Sequence, residues 1–229
     1  MYKIVEYIVR KLKNPHFVID REIPMGYLIG MILRNLMMGI YGIIIFRRMK
    51  LSFVHPSSKL LCKSKFVFKG TLRIDRNCYI DALSRDGIQL GSNVSIGKNT
   101  VIECSGTVSD IGKGLIVGNN VGMGTHGFWG CAGGVKVGDD CIFGNYVSLH
   151  SENHNFQDVD TPIRLQGISR KGIEIGSNCW IGAKATILDG AKVGNGCVIA
   201  ANAVVRGDFP DNVVIGGVPA KIIKYINQR

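Results

Sequence analysis

The stretch Ile175-Gly-Ser-Asn-Cys-Trp-Ile181-Gly-Ala-Lys-Ala-Thr-Ile187-Leu-Asp-Gly-Ala-Lys-Val193-Gly-Asn-Gly-Cys-Val-Ile199-Ala-Ala-Asn-Ala-Val-Val205 carries a branched apolar residue at every sixth position. The next residue is usually small: Gly176, Gly182, Gly194 and Ala200. A helix repeats near 3.6 residues and a flat strand at 2, so neither accounts for a period of six. Short strands separated by sharp corners and stacked as a parallel β-helix do account for it.

The same spacing extends towards the N-terminus. Val137, Phe143 and Leu149 form one run, and Ile111, Val117, Met123 and Trp129 another. Leu90, Ile96 and Ile102 form a third, and Phe68, Ile74 and Ile80 a weaker start. A solenoid accepts insertions at its corners, where they become surface loops on a binding face. The longest interruption falls between Leu149 and Ile175, so the loop 151–172 is the prime candidate for function.

A second column lies two residues before each rung and points to the same side of an extended strand. It holds Thr100, Val121, Val147, Ala185, Ala191 and Ala203, and four of the seven cysteines: Cys78, Cys141, Cys179 and Cys197. Inward, unpaired cysteines read as small core hydrophobes in a reducing compartment. No Cys or His spacing matches a zinc site, so no metal is expected. Glycine makes up 30 of 229 residues, against an ordinary share of about 7%, and is expected to serve the tight corners.

The first 65 residues differ. They hold twelve Lys and Arg against three Asp and Glu, most of the net charge of +11. The apolar run 25–46 has nearly the length of a membrane span, about 20 residues. Arg34 within it costs about 2.5–3.5 kcal/mol in hydrocarbon. A helix packed on protein, a helix lying in a membrane surface and a true span all remain open. A cleaved signal peptide is not expected, because no short apolar core with a small-residue cleavage site follows a short basic start. Nucleic acid is a poor match for cations mixed with Met, Leu and Ile. The expected organisation is a basic helical prefix over 1–65, a β-helix over 66–215 and a tail over 216–229.

The C-terminal half resembles the hexapeptide-repeat acyltransferases of the galactoside, maltose and polysaccharide O-acetyltransferase branch. The resemblance rests on 175–183, on 199–205 and on Gly216-Gly-Val-Pro-Ala-Lys-Ile-Ile-Lys224. It implies a left-handed parallel β-helix, mainly β, with an α-helical prefix and a short C-terminal helix, assembled as a homotrimer. It also implies acetyl-CoA as donor and a sugar or polysaccharide precursor as acceptor.

Within the resemblance, Leu149-His-Ser-Glu-Asn-His154 matches the catalytic stretch, with His154 as general base. Imidazole titrates near neutrality and can take a hydroxyl proton as the oxygen attacks a thioester. The backbone N–H of Ala183 is the implied oxyanion donor. Trp180, Gly182, Ala183, Ala201, Arg206, Lys221 and Lys224 match cofactor positions. Arg206 stands where the family often has Thr followed by Lys, and Gly207 replaces that Lys. The acceptor-side Asn and Asp of the sugar acetyltransferases fall on Gly124 and Ala132, so the acceptor contacts differ. His126, Trp129, Glu152, Asn153 and Arg164 are the candidates in their place, with Glu152 a possible carboxylate partner for His154.

The function expected is O-acetylation of a sugar hydroxyl in surface-polysaccharide biosynthesis. The place expected is the cytoplasm, at the inner face of the membrane if the prefix binds lipid. An N-acetyltransferase of amino-sugar nucleotides is the near alternative. A metal-dependent hydratase of the γ-carbonic-anhydrase kind would use His126, His150 and His154. A non-catalytic solenoid would use none of these residues.

Overall fold

A computed structural model describes residues 2–12, 15–47 and 51–226. The chain divides into two compact units, Met1–Met37 and Met38–Arg229.

In the first unit, α1 (Tyr2–Leu12) is amphipathic, and a longer helix, α2 (Met25–Phe46), begins there and continues into the second unit. Glu6 joins α1 to the segment that follows. Its carboxylate accepts the Ile19 N–H at 3.0 Å and pairs with Arg21 at 3.0 Å. The Ile19 N–H, followed by the Arg21 charge, holds the Glu6 carboxyl below the usual range against the opposing effect of burial.

The second unit is a three-faced prism of parallel strands. Face one runs from Ser52–Val54 to Val213–Gly217, face two from Lys59–Leu61 to Val204–Val205, and face three from Phe66–Phe68 to Asp208–Phe209. Each turn of the chain contributes one strand to each face. The rungs therefore stack in register: Leu149 on Ile187 on Val205, Phe143 on Ile181 on Ile199, and Val137 on Ile175 on Val193. All of these are buried. Each contributes about 1.5–3 kcal/mol of hydrophobic burial, which is how short strands cohere without long-range alternation. The second column is buried as expected, including Cys78, Cys141, Cys179 and Cys197. Burial pushes the thiols of Cys78 and Cys131 above their ordinary range, as suits packing groups rather than nucleophiles.

Three expectations need correction. First, the parallel sheets begin at Ser52, not at 66. The early coils use Val54, Phe66, Phe68 and Leu72 without the small residues that make later rungs conspicuous. Second, Ile111 is not a rung. It lies half-exposed in an insertion, 104–114, and Leu115–Val117 resumes the stack. Third, the tail is not helical: Ala220–Tyr225 pairs antiparallel with Val213–Gly217. The chain reverses at Gly217, whose φ of 101° favours glycine, and the returning strand covers an edge that would otherwise expose unpaired backbone.

The glycines after the rungs also serve a purpose other than corner conformation. A Cβ on Gly182 would lie 2.5 Å from Ala201 N, so neighbouring coils approach too closely for any side chain there. Left-handed corner positions fall mostly to other residues, among them Asn93, Asn120, Asp140, Asn178 and Asn212. Three of these join coil to coil through their side chains: Asn93 Nδ2 donates to Asn120 Oδ1 at 3.1 Å, and Asn120 Nδ2 to Asp140 Oδ1 at 2.9 Å.

Candidate functional site

Long corners are confined to one edge of the prism. Between faces two and three the corners include 82–87, 104–114 and 151–172. The last opens on Ser151, which is fully buried. Its hydroxyl donates to the Gly130 carbonyl at 2.8 Å and accepts the Gly133 N–H at 2.9 Å. Asn153–His154 then pairs antiparallel with Ile168–Ser169, closing a small hairpin. Asp189, one coil on, accepts the N–H groups of Lys171 and Gly172 at 2.8 and 2.7 Å and the Asn153 amide at 3.3 Å. Both ends of the loop are thereby held to the prism.

His154 stands on this hairpin, exposed, with its imidazole making no hydrogen bond among the described residues. It borders two clefts. One, of about 260 Å³, lies towards the 104–114 insertion and is lined by Glu103, Phe128, His150 and Glu152. The other, of about 520 Å³, lies towards the following coils and is lined by Lys171, Asp189 and Arg206. An imidazole between two clefts can serve a group arriving from either side.

Glu152 does not orient His154. Its Oε2 accepts from Arg170 Nε at 3.0 Å, and Arg170 Nη1 reaches Asp110 Oδ2 at 2.8 Å. Arg170 is mostly buried and ties the His154 loop to the 104–114 insertion. Within the long loop, Gln166 donates to the Asp158 and Thr161 carbonyls, both at 2.7 Å. The Thr161 hydroxyl keeps the Asp158 carboxyl below its ordinary range. Arg164 is exposed in a short 3-10 turn, Ile163–Leu165, and lines neither cleft.

The other expected residues are distributed elsewhere. Trp129 is 1% exposed and packs on Phe143 with ring centroids 4.8 Å apart, so it is a core residue and cannot touch an acceptor. His126 occupies a left-handed corner on the edge between faces one and two. It stacks on Tyr146 at 4.7 Å and bonds Asn99 and Thr125. It is therefore separated from His150 and His154, and the three do not converge. Among the described residues no group of three or more His, Cys, Asp or Glu could hold a metal ion.

Gly182, Ala183 and Ala201 lie on that same edge between faces one and two, across face two from His154. Among the described residues the backbone N–H groups of Ala183 and Ala201 donate to nothing, whereas those of Gly182 and Lys184 bond neighbouring coils. Trp180 is 58% exposed on face one, in a lateral row with Val198, Val214 and Lys224. Lys221 is exposed beside Gly216. Only Arg206 among the expected cofactor residues shares a cleft with His154.

Sequence reasoning missed Glu103, Phe128, Arg170, Lys171 and Asp189. A signal for the first two was present. Stacking the rungs Ile102, Trp129 and Leu149 places Glu103, Gly130 and His150 in one outward row, and Val101, Phe128 and Ser148 in another. Arg170 and Asp189 act across coils, and no local motif marks them.

A family model described as bacterial transferase hexapeptide (six repeats) matches residues 172–207. The chain is 34% identical over 173 residues to the Escherichia coli K12 protein named "Putative lipopolysaccharide biosynthesis O-acetyl transferase WbbJ", covering 71% of this chain and 84% of that protein. It is 33% identical over 138 residues to "Probable acetyltransferase Rv3034c" of Mycobacterium tuberculosis, covering 60% of this chain and spanning only 44% of that relative's length. A crystal structure of a mutant of AntD, an N-acyltransferase from Bacillus cereus, in complex with dTDP and coenzyme A, shares the fold. Its TM-score is 0.54 at 14% identity, over 81% of this chain and 89% of that one. The architecture is the left-handed parallel β-helix. The repeats, the stacked rungs and the extent of the match to WbbJ together show that this chain belongs to the hexapeptide-repeat transferase family.

Proposed function

We propose that the protein is an acetyl-CoA-dependent O-acetyltransferase that acts on a sugar hydroxyl in surface-polysaccharide biosynthesis. The observation that carries this reading is the position of His154 at the meeting of two clefts, without a hydrogen-bond partner among the described residues. The acceptor hydroxyl gives its proton to the imidazole as its oxygen attacks the thioester carbonyl. The tetrahedral oxyanion takes a hydrogen bond from the Ala183 N–H, and collapse expels the coenzyme A thiolate, which recovers the proton from the imidazolium. The likeness to WbbJ, named for lipopolysaccharide biosynthesis, supports the acceptor class.

His154 and Ala183 lie on different edges of one chain, so the reading requires a second copy. A cyclic trimer joins two different surfaces of each chain, and so can set the His154 edge of one against the Ala183 edge of the next. Trp180, Lys221 and Lys224 then line the donor path from the second chain, with Arg206 beside His154. The test is thiol release from acetyl-CoA in the presence of sugars, nucleotide sugars and lipid-linked oligosaccharides. Release that depends on both a sugar and His154 is expected. Absence of release with every acceptor, or release undiminished in His154→Ala, ends the proposal.

The N-terminal helices fit an anionic membrane surface on the cytoplasmic side. Along α2, Ile29, Leu33, Leu36, Ile40 and Ile44 are exposed on one face, and the flanking sequence is strongly basic. Co-sedimentation with phosphatidylserine vesicles, but not with pure phosphatidylcholine, is the expected result. Equal recovery with both, or with neither, removes this part of the reading.

A further inference from the structure

We infer, resting on the acetyl-transfer reading above, that the cleft between His154 and the 104–114 insertion receives an uncharged pyranose, and that Glu103 excludes sugars bearing a carboxylate. The floor of this cleft is aromatic. Phe128 is half-buried on face two, and its ring lies across Gly130: a Cβ on that glycine would be 3.2 Å from Phe128 Cε1. The same ring meets His150 at 5.4 Å between centroids, tilted by 32°. An apolar ring face of this kind matches the C–H face of a pyranose and leaves the sugar's hydroxyls directed to the walls.

The width is set by the register. Glu103, Gly130 and His150 occupy one lateral row on three adjacent strands. Glu103 and His150 therefore flank a residue without a side chain, with backbones roughly 9–10 Å apart. A single sugar ring fits on the Phe128 ring where it covers Gly130, with Glu103 at one margin and the two imidazoles, His150 and His154, at the other. Ser105 and Gly106 of the insertion close the end.

Charge decides the selectivity. Glu152 also lines the cleft, but Arg170 neutralises it and also holds Asp110. Among the described residues no ion pair involves Glu103, which is exposed at the end of Val101–Glu103. Its carboxylate can accept hydroxyl hydrogen bonds, which are stronger to a charged acceptor than to a neutral one. The same charge repels a uronate placed on Phe128, a repulsive element of the kind that makes binding specific.

A matched pair of acceptors tests this: 4-nitrophenyl β-glucoside and 4-nitrophenyl β-glucuronide, which differ in the carboxylate at C6. Thiol release from acetyl-CoA is followed for the full-length protein and for Glu103→Gln. The unaltered protein should prefer the glucoside, and E103Q should lower that preference by about tenfold or more, chiefly through better use of the glucuronide, with Tm unchanged. A preference unaltered by E103Q overturns the inference while sugar-dependent thiol release leaves acetyl transfer standing. Equal or better use of the glucuronide by the unaltered protein also overturns it. Failure of both glycosides, with His154-dependent release on some other acceptor, removes the pyranose assignment alone.

Discussion

Two edges of the same prism are built to different rules. Between faces one and two every corner is four residues long, from 55–58 to 200–203. Between faces two and three the corners range from 206–207 to 151–172. The first edge repeats because each coil there must fit closely against the next, as the absent Cβ of Gly182 shows. The second is released from that constraint, and it carries His154, both clefts and the bracing ion pairs. Regularity specifies the fold, and departures from it on one edge create room for chemistry.

The largest effect expected from breaking this contrast is at His154. Alanine there should lower acetyl-transfer turnover by about 10²–10⁴-fold without moving Tm, because the side chain is exposed. A large fall in Tm would mean that the residue serves the scaffold instead. Next in size is the converse test on the regular part. Ile187→Ala should destabilise the protein by about 2–5 kcal/mol in a denaturant titration. Arg164→Ala on the long loop should stay within about 0.5 kcal/mol. Similar values for the two would erase the distinction.

A smaller effect is expected at Arg170, which links the two insertions rather than the core. Arg170→Ala should raise KM for the acceptor several-fold with a lesser change in kcat, and Arg170→Lys should recover part of the loss. A change in kcat alone would argue against a bracing role. The smallest effect is on loop order with pH. The Asp158 carboxyl is held below its ordinary range by Thr161, so its contribution is present above the ordinary carboxylate pKa and is lost as pH falls through the lowered one. Amide exchange over 155–167 should quicken under acid conditions relative to the core rungs; exchange that rose equally in both would remove Asp158 as the cause.

Much of this was legible in the sequence, and particular residues show where legibility stopped. The rungs from Leu149 to Val205 announced the coils because each puts a branched residue inward, and Ile175, Ile181, Val193 and Ile199 are each followed by a small one. Ser52–Val54 was hidden because early coils bury Phe66 and Phe68 without that small partner. Ile111 satisfied the period by coincidence, inside an insertion that only the strand pairing exposes. His154 could be found because it follows a rung at the longest break. Glu152 could not be given its role, since its partner Arg170 is distant along the chain and adjacent only after the loop closes.

The sequence by itself determined the coil period, the inward columns and the loop that bears the candidate base, because these are local demands repeated every six residues. Only the tertiary structure decided that His154 and Ala183 occupy different edges. It alone decided that Arg170 meets both Glu152 and Asp110. Those relations depend on which coils stack and on how far the intervening loop carries the chain, and no short window of residues contains that distance.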